Sequence, residues 1–244
     1  TGVQTCVFRS SPAEINLDIS NNSITVDAGC TLKQIQDIAK ANNLYFPLSM
    51  ASEGSCQIGG NIATNAGGIH VIKYGTIRDM VLGLEVILPD GKTINQLNSL
   101  RKNNVNFDLK QLFIGSEGTL GIITKATLRL FTNPKNYITN LAVCNNIPQS
   151  ITLLDSLSKQ FNICAFEIIN DTTQEIYNSC NKNKPLPLHG KWLILFEIEI
   201  YDDFNFDNFY IILQNLKIST KNTIVATSPR ERQVLWGFRE AIPI

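Results

Sequence analysis

The sequence has no surplus of charge of either sign. Its 21 Lys and Arg are matched by 21 Asp and Glu over 244 residues, so the net charge is zero. A nucleic-acid-binding surface needs a basic excess, and no nucleic-acid partner is expected. Long apolar runs are missing as well. Nothing approaches the ~18–20 residues that span a bilayer, so no transmembrane segment is expected. The first twenty residues lack the basic-then-apolar pattern of a secretory signal, and the Asn-x-Ser/Thr triplets at Asn21 and Asn170 carry no weight without one. Cysteine is sparse. The six, at 6, 30, 56, 144, 164 and 180, form no C-x-x-C pair. They read as reduced, mostly buried thiols, which fits a cytoplasmic setting, or a mitochondrial one in a eukaryote.

Nucleotide and hydrolase signatures are also lacking. No G-x-G-x-x-G is present, so a Rossmann site is unsupported. No G-x-S-x-G elbow occurs. Gly91-Lys92-Thr93 resembles the end of a P-loop, but Val86 stands where its first glycine belongs, and the context is a hairpin. His70 and His189 lack metal-ligand spacing and read as structural or exposed, so no metal site is expected in this chain.

Glycine is scarce in one half and dense in the other. Eleven of the 15 glycines fall between Gly54 and Gly121, and after that window only Gly190 and Gly237 follow. The polar stretch Thr132-Asn133-Pro134-Lys135-Asn136 is the expected seam. It divides the chain into domains 1–133 and 134–244.

Both halves read as α+β. In the first, Ser23–Ala28 alternates as a strand. Thr31 opens a helix as cap, with Gln34 as its capping-box partner and Leu32, Ile35, Ile38 and Ala39 as the apolar stripe. Val81–Leu88 is a strand, Asp90-Gly91 a hairpin turn and Lys92–Ile94 the return. Leu109–Phe113 reads as a short helix and Gly121–Phe131 as a strand. In the second half, strands at Tyr137–Val143, Cys164–Ile169, Trp192–Ile200 and Thr223–Ala226 alternate with helices. Those helices are one capped by Ser150, then Asp171–Ser179, Phe206–Leu216 and Pro229–Glu240. Such alternation suggests a sheet with helices on one face.

Two glycine-rich segments carry the chemistry. The first runs Gly54-Ser55-Cys56-Gln57-Ile58-Gly59-Gly60-Asn61-Ile62-Ala63-Thr64-Asn65-Ala66-Gly67-Gly68, followed by Tyr74-Gly75. The second is Phe113-Ile114-Gly115-Ser116-Glu117-Gly118-Thr119-Leu120-Gly121-Ile122-Ile123-Thr124. Paired glycines among Ser, Thr and Asn expose backbone N–H groups that can cradle an anion such as pyrophosphate. They also serve plain tight turns, and the residues alone leave both readings open.

These segments, with Val81-Leu82-Gly83-Leu84-Glu85-Val86 and Leu100–Asn104 through Asp108–Gly121, resemble the FAD-dependent D-2-hydroxyacid dehydrogenases. That family lies within the vanillyl-alcohol oxidase and para-cresol methylhydroxylase superfamily. The likeness is nearest to members acting on 2-hydroxyglutarate, glycolate and lactate, is close over residues 20–131 and is weaker beyond. It implies the second lobe of a para-cresol methylhydroxylase-type FAD-binding domain, followed by part of an α+β substrate-binding cap domain.

The resemblance further implies FAD as cofactor, a D-2-hydroxyacid as substrate, hydride transfer to the flavin and an electron acceptor it does not identify. The cofactor-side positions it implies are Gly59, Gly60, Thr64, Asn65, Gly67, Gly68, Tyr74 and Gly75, with Glu117, Gly118, Gly121 and Ile122. Leu235-Trp236-Gly237-Phe238-Arg239-Glu240-Ala241-Ile242-Pro243 matches the segment whose arginine grips the substrate carboxylate, at Arg239. Pro243 replaces a Thr found in some members. Thr1-Gly2 matches the tail of the pyrophosphate loop, but Val3, Gln4, Thr5 and Cys6 depart from the apolar pair and two glycines that should follow. The chain reads as cut at both ends, with the family's catalytic and metal-binding histidines falling beyond Ile244. Two other expectations are a truncated or degraded remnant that folds without catalysing, and another branch, such as an aryl-alcohol or ether-lipid flavoenzyme.

Overall fold

The computed structural model describes residues 14–105 and 107–242. Thr1–Cys6 and Pro243 lie outside the described residues. The chain divides into two compact units, Thr1–Asn133 and Pro134–Ile244.

In the first unit the strands are β1 (Ile15–Asp18), β2 (Ser23–Asp27), β3 (Leu44–Tyr45), β4 (Val81–Ile87), β5 (Thr93–Asn95), β6 (Ile122–Arg129) and β7 (Phe131–Thr132). The helices are α1 (Leu32–Ala41), α2 (Ile58–Ala63), α3 (Val71–Tyr74), α4 (Ile77–Met80) and α5 (Lys110–Phe113). Five strands form one antiparallel sheet in the order β1-β2-β6-β4-β5, and β3 pairs with β7 apart from it. Period-two alternation sets the sheet's buried face. Ile24 and Val26 of β2, Ala126 and Leu128 of β6, and Leu84 and Val86 of β4 share one core with Leu32, Ile35 and Ala39 of α1. A bulge between Glu85 and Val86 shifts the β4–β6 register.

Helix α1 starts where the residues predict. The Thr31 side chain accepts from Gln34 N, and Gln34 Oε1 accepts from Thr31 N at 2.9 Å. At Asp90-Gly91 the chain turns with Gly91 at φ 83°, a conformation glycine adopts without penalty.

In the second unit the strands are β8 (Asn136–Cys144), β9 (Asn162–Asn170), β10 (Trp192–Ile200) and β11 (Thr223–Ala226). The helices are α6 (Ile147–Ser158), α7 (Asp171–Cys180), α8 (Phe206–Asn215) and α9 (Pro229–Glu240). The sheet is antiparallel, in the order β11-β8-β10-β9.

Two expectations are corrected here. Ser150 does not cap α6. Asn146 does, its side chain accepting from Gln149 N at 2.9 Å with Pro148 in the first turn. Ser150 is buried within the helix, its hydroxyl turned back toward Asn146 O.

Helices also cover both faces of the sheet, not one. Ile194, Phe196 and Ile198 of β10 pack with Leu153 and Leu157 of α6 and Phe209 and Leu213 of α8. The alternate β10 residues Leu193, Leu195, Glu197 and Glu199 are buried as well, and Glu197 meets α9. A central strand covered on both sides is apolar almost throughout, and Trp192–Ile200 is interrupted only by Glu197 and Glu199. Each buried Phe there contributes about 1.5–3 kcal/mol before entropy is counted.

Candidate functional site

The two glycine-rich segments, far apart in sequence, meet in the first unit. Gly115 N donates to Ile62 O at 3.1 Å, and Glu117 N donates to Ala63 O at 2.8 Å. Arg78 fastens the junction from the side. Its Nη1 donates to Gln111 O at 3.0 Å and to Gln111 Oε1 at 2.7 Å, its Nη2 to Ile114 O at 2.5 Å, and its backbone N to Asn65 Oδ1 at 3.3 Å. The junction is thus built mostly from backbone carbonyls and amides.

The implied cofactor positions fall into two groups. Gly59, Gly68 and Gly121 serve the fold itself. A Cβ on Gly59 would lie 2.6 Å from Ala28 Cβ, one on Gly68 2.3 Å from Ser49 O, and one on Gly121 2.7 Å from Val86 Cγ1. Gly59 N also donates to Ala28 O and Ile58 N to Cys30 O, fixing α2 against the end of β2. The Cys30 thiol beneath this contact is raised above its ordinary pKa by burial and then by the charge of Asp27, so it is a packing residue, not a nucleophile. Tyr74 is also buried, edge-on to Phe131 at 4.7 Å and to Tyr45 at 5.9 Å. Gly75, at φ 74°, closes α3 where a side chain would strike Asp79.

The other group faces outward. Thr64, Gly67, Glu117, Gly118 and Ile122 are exposed, while Gly60 and Asn65 are half-buried. Asn65, Gly115, Glu117 and Gly118 all hold positive φ, at 48°, 81°, 52° and 78°. Left-handed backbone at Asn65 and Glu117 costs free energy in non-glycine residues and persists only where the surroundings impose it. Space is open around Gly118, with no atom within 4 Å of a would-be Cβ. Small side chains, twisted backbone and open space suit a ligand recognised through its polar edges by backbone groups. An extended FAD is such a ligand, so the residues present fit it.

In the second unit, Arg239 stands near the end of α9, with its side chain one-third exposed. Its Nε donates to Glu167 Oε2 at 3.2 Å. Two turns earlier the same helix is clamped to the sheet. The fully buried Glu197 carboxylate accepts from Arg232 Nε at 2.7 Å, Arg232 Nη2 at 2.8 Å, Trp236 Nε1 at 2.8 Å and Thr139 Oγ1 at 2.6 Å. Sequence reasoning missed this clamp. Its signal was a Glu at alternate positions of an otherwise apolar strand, Glu197 and Glu199. His70 is buried, with Nδ1 against Pro47 O at 3.0 Å, and His189 is exposed beside Asn178.

Residues 12–96 match a FAD binding domain family. The mitochondrial D-2-hydroxyglutarate dehydrogenase of Danio rerio is 33% identical over 225 residues, covering 90% of this chain and 42% of the relative. That of Bos taurus is 50% identical over 119 residues, covering 49% of this chain and 22% of the relative. Over these stretches the chain is similar to the D-2-hydroxyglutarate dehydrogenases. A bacterial D-2-hydroxyglutarate dehydrogenase, from Xanthomonas citri, is 38% identical over 161 residues, covering 66% of this chain and 34% of the relative. The chain spans less than half the length of such relatives. The fold of this chain is similar to that of the solved alkyldihydroxyacetonephosphate synthase, with TM-score 0.68 and 17% identity over 94% of this chain and 44% of that one. Likeness at that identity speaks to fold alone. No helix among the described residues is long and apolar enough to cross a membrane.

Proposed function

We propose that this chain is part of a FAD-dependent enzyme that oxidises a D-2-hydroxyacid to the 2-oxoacid. The observation that carries the reading is the joining of Thr64–Asn65 to Glu117–Gly118 through the Ile62 and Ala63 carbonyls. In this reading residues 1–133 are part of the FAD-binding domain and residues 134–244 part of the substrate-binding cap. Gly60, Thr64, Asn65, Gly67, Glu117, Gly118 and Ile122 border the cofactor. Gly59, Gly68, Tyr74, Gly75 and Gly121 hold the backbone that presents them.

When bound, FAD supplies the acceptor for a hydride from the substrate's C2. This chain's own contribution at the substrate is Arg239. With Nε turned toward Glu167, the two terminal nitrogens of its planar guanidinium offer a fork for a carboxylate. The substrate class is thus one with a carboxylate beside the reacting carbon. The electron acceptor is not assigned.

The test is the visible spectrum of the full-length protein. Bound flavin should be bleached by at least one of D-2-hydroxyglutarate, D-lactate and glycolate. Gly60→Val should lose flavin while the chain stays folded. Arg239→Ala should keep flavin yet lower kcat/KM by about tenfold or more, the worth of a charge-assisted hydrogen bond. A flavin that no 2-hydroxyacid bleaches, or an Ala variant with unchanged kinetics, would overturn this reading.

A further inference from the structure

Beside the glycine junction, the first unit holds a cleft of about 520 Å³ lined by Arg78, Arg101, Lys110 and Arg129. That volume falls in the range of about 300–1,000 Å³ typical of small-molecule sites. Asp79 and Asp108 also line it, but both are already engaged. Asp79 accepts from Thr76 N at 2.9 Å in the capping box of α4, and Asp108 accepts from Lys110 Nζ at 2.6 Å. The Arg78 guanidinium is held by Gln111 and Ile114.

Arg101 and Arg129 remain, and neither forms an ion pair with another described residue. Arg129 stacks on the Phe131 ring, its guanidinium carbon 4.4 Å from the centroid. Its Nε is buried without a hydrogen-bond partner. A buried N–H donor without an acceptor is costly, and such groups in native proteins are nearly always satisfied. Burial, and then the like charge of Arg101, lower the Arg129 pKa, so the two guanidiniums share this cleft uncompensated. A neutral or cationic ligand would leave that repulsion standing. An oxyanion between the two guanidiniums would relieve it.

We propose that this cleft binds a small dianion, with negative oxygens held between Arg101 and Arg129, at a site separate from the glycine-rich cradle. The ligand class is a phosphate ester or a dicarboxylate, which share this chemistry. Arg78 forms the wall between the two sites, since it lines the cleft while holding the Ile114 carbonyl next to Gly115.

The experiment is calorimetric titration of the flavin-loaded full-length protein with pyrophosphate in one arm and succinate in the other. One saturable site is expected for at least one probe, and the preferred probe identifies the source of the charge. Arg101→Gln and Arg129→Gln should each weaken binding by about tenfold or more, as loss of a charge-assisted pair implies. If Arg129→Gln fails to fold, the exposed Arg101 decides alone. Three results would overturn the proposal. These are no saturable binding of either probe, unchanged affinity in Arg101→Gln, and binding that occurs only when flavin is removed. The last would give these arginines to the cofactor's own phosphates.

Discussion

Replacing Arg232 with Met removes the charge that faces the Glu197 carboxylate. That carboxylate is fully buried in the central strand β10 and takes two hydrogen bonds from the guanidinium. Breaking a buried pair by removing one partner costs about 3–5 kcal/mol, because the remaining charge keeps its desolvation penalty. Two features reduce the figure. Arg232 is 34% exposed, so water screens part of the pair, and Thr139 and Trp236 still donate to Glu197. The expected loss is therefore about 2–3 kcal/mol.

Intrinsic fluorescence isolates the effect. The chain's two tryptophans, Trp192 and Trp236, both lie in the second unit, so emission reports that unit alone. In urea, with a slope of about 1–3 kcal/mol per molar, the midpoint should fall by roughly 0.7–3 M. In the double variant with Glu197→Gln, removal of the buried charge should recover much of the loss, giving a coupling of about 1–3 kcal/mol. A midpoint shift worth less than about 0.5 kcal/mol, or additive single and double variants, would refute the reasoning. In the proposed function the consequence reaches the substrate side, because α9 also carries Arg239.

Three further outcomes are expected. Gly237→Ala should stabilise the second unit by about 0.5–1 kcal/mol in the same fluorescence assay, since Gly237 sits inside α9 with open space at its Cβ position. Gly68→Ala should destabilise the first unit, because its new methyl would lie 2.3 Å from a backbone oxygen that cannot swing aside. Far-ultraviolet circular dichroism during thermal unfolding should show an earlier loss of signal without a change in tryptophan emission. Glu231 is held below its ordinary pKa, first by the Ser228 hydroxyl and then by the backbone N–H groups of Ser228 and Thr227. A depressed carboxyl contributes stability above its unfolded pKa and loses it as pH falls through the folded value. Acidification from neutrality to below 4.5 should therefore cost the wild type more than Glu231→Gln, with pH-dependent urea midpoints as the measure.

Local patterns decided most of the elements. The capping box at Thr31 and Gln34, the Asp90-Gly91 turn and the runs Trp192–Ile200, Thr223–Ala226 and Pro229–Glu240 are properties of contiguous residues, and all are legible in the chain. The glycine-rich segments were legible as dense runs of glycine among small polar residues, but not as two kinds of glycine. Whether a glycine bends toward a ligand or makes room for its own chain depends on what stands opposite. Only the tertiary structure places Ala28 against Gly59 and Ser49 against Gly68.

Short helices such as α3 and α4, with four residues each, gave no periodicity to read, because one turn samples each face only once. The choice between one covered face and two was likewise beyond the sequence. It rests on Arg232 and Trp236 meeting Glu197 across 35 and 39 positions. The sharing of one cleft by Arg101 and Arg129 is of the same kind. Charge balance over the whole chain says only that the sum is zero, and proximity in the fold decides which charges are left to face a ligand.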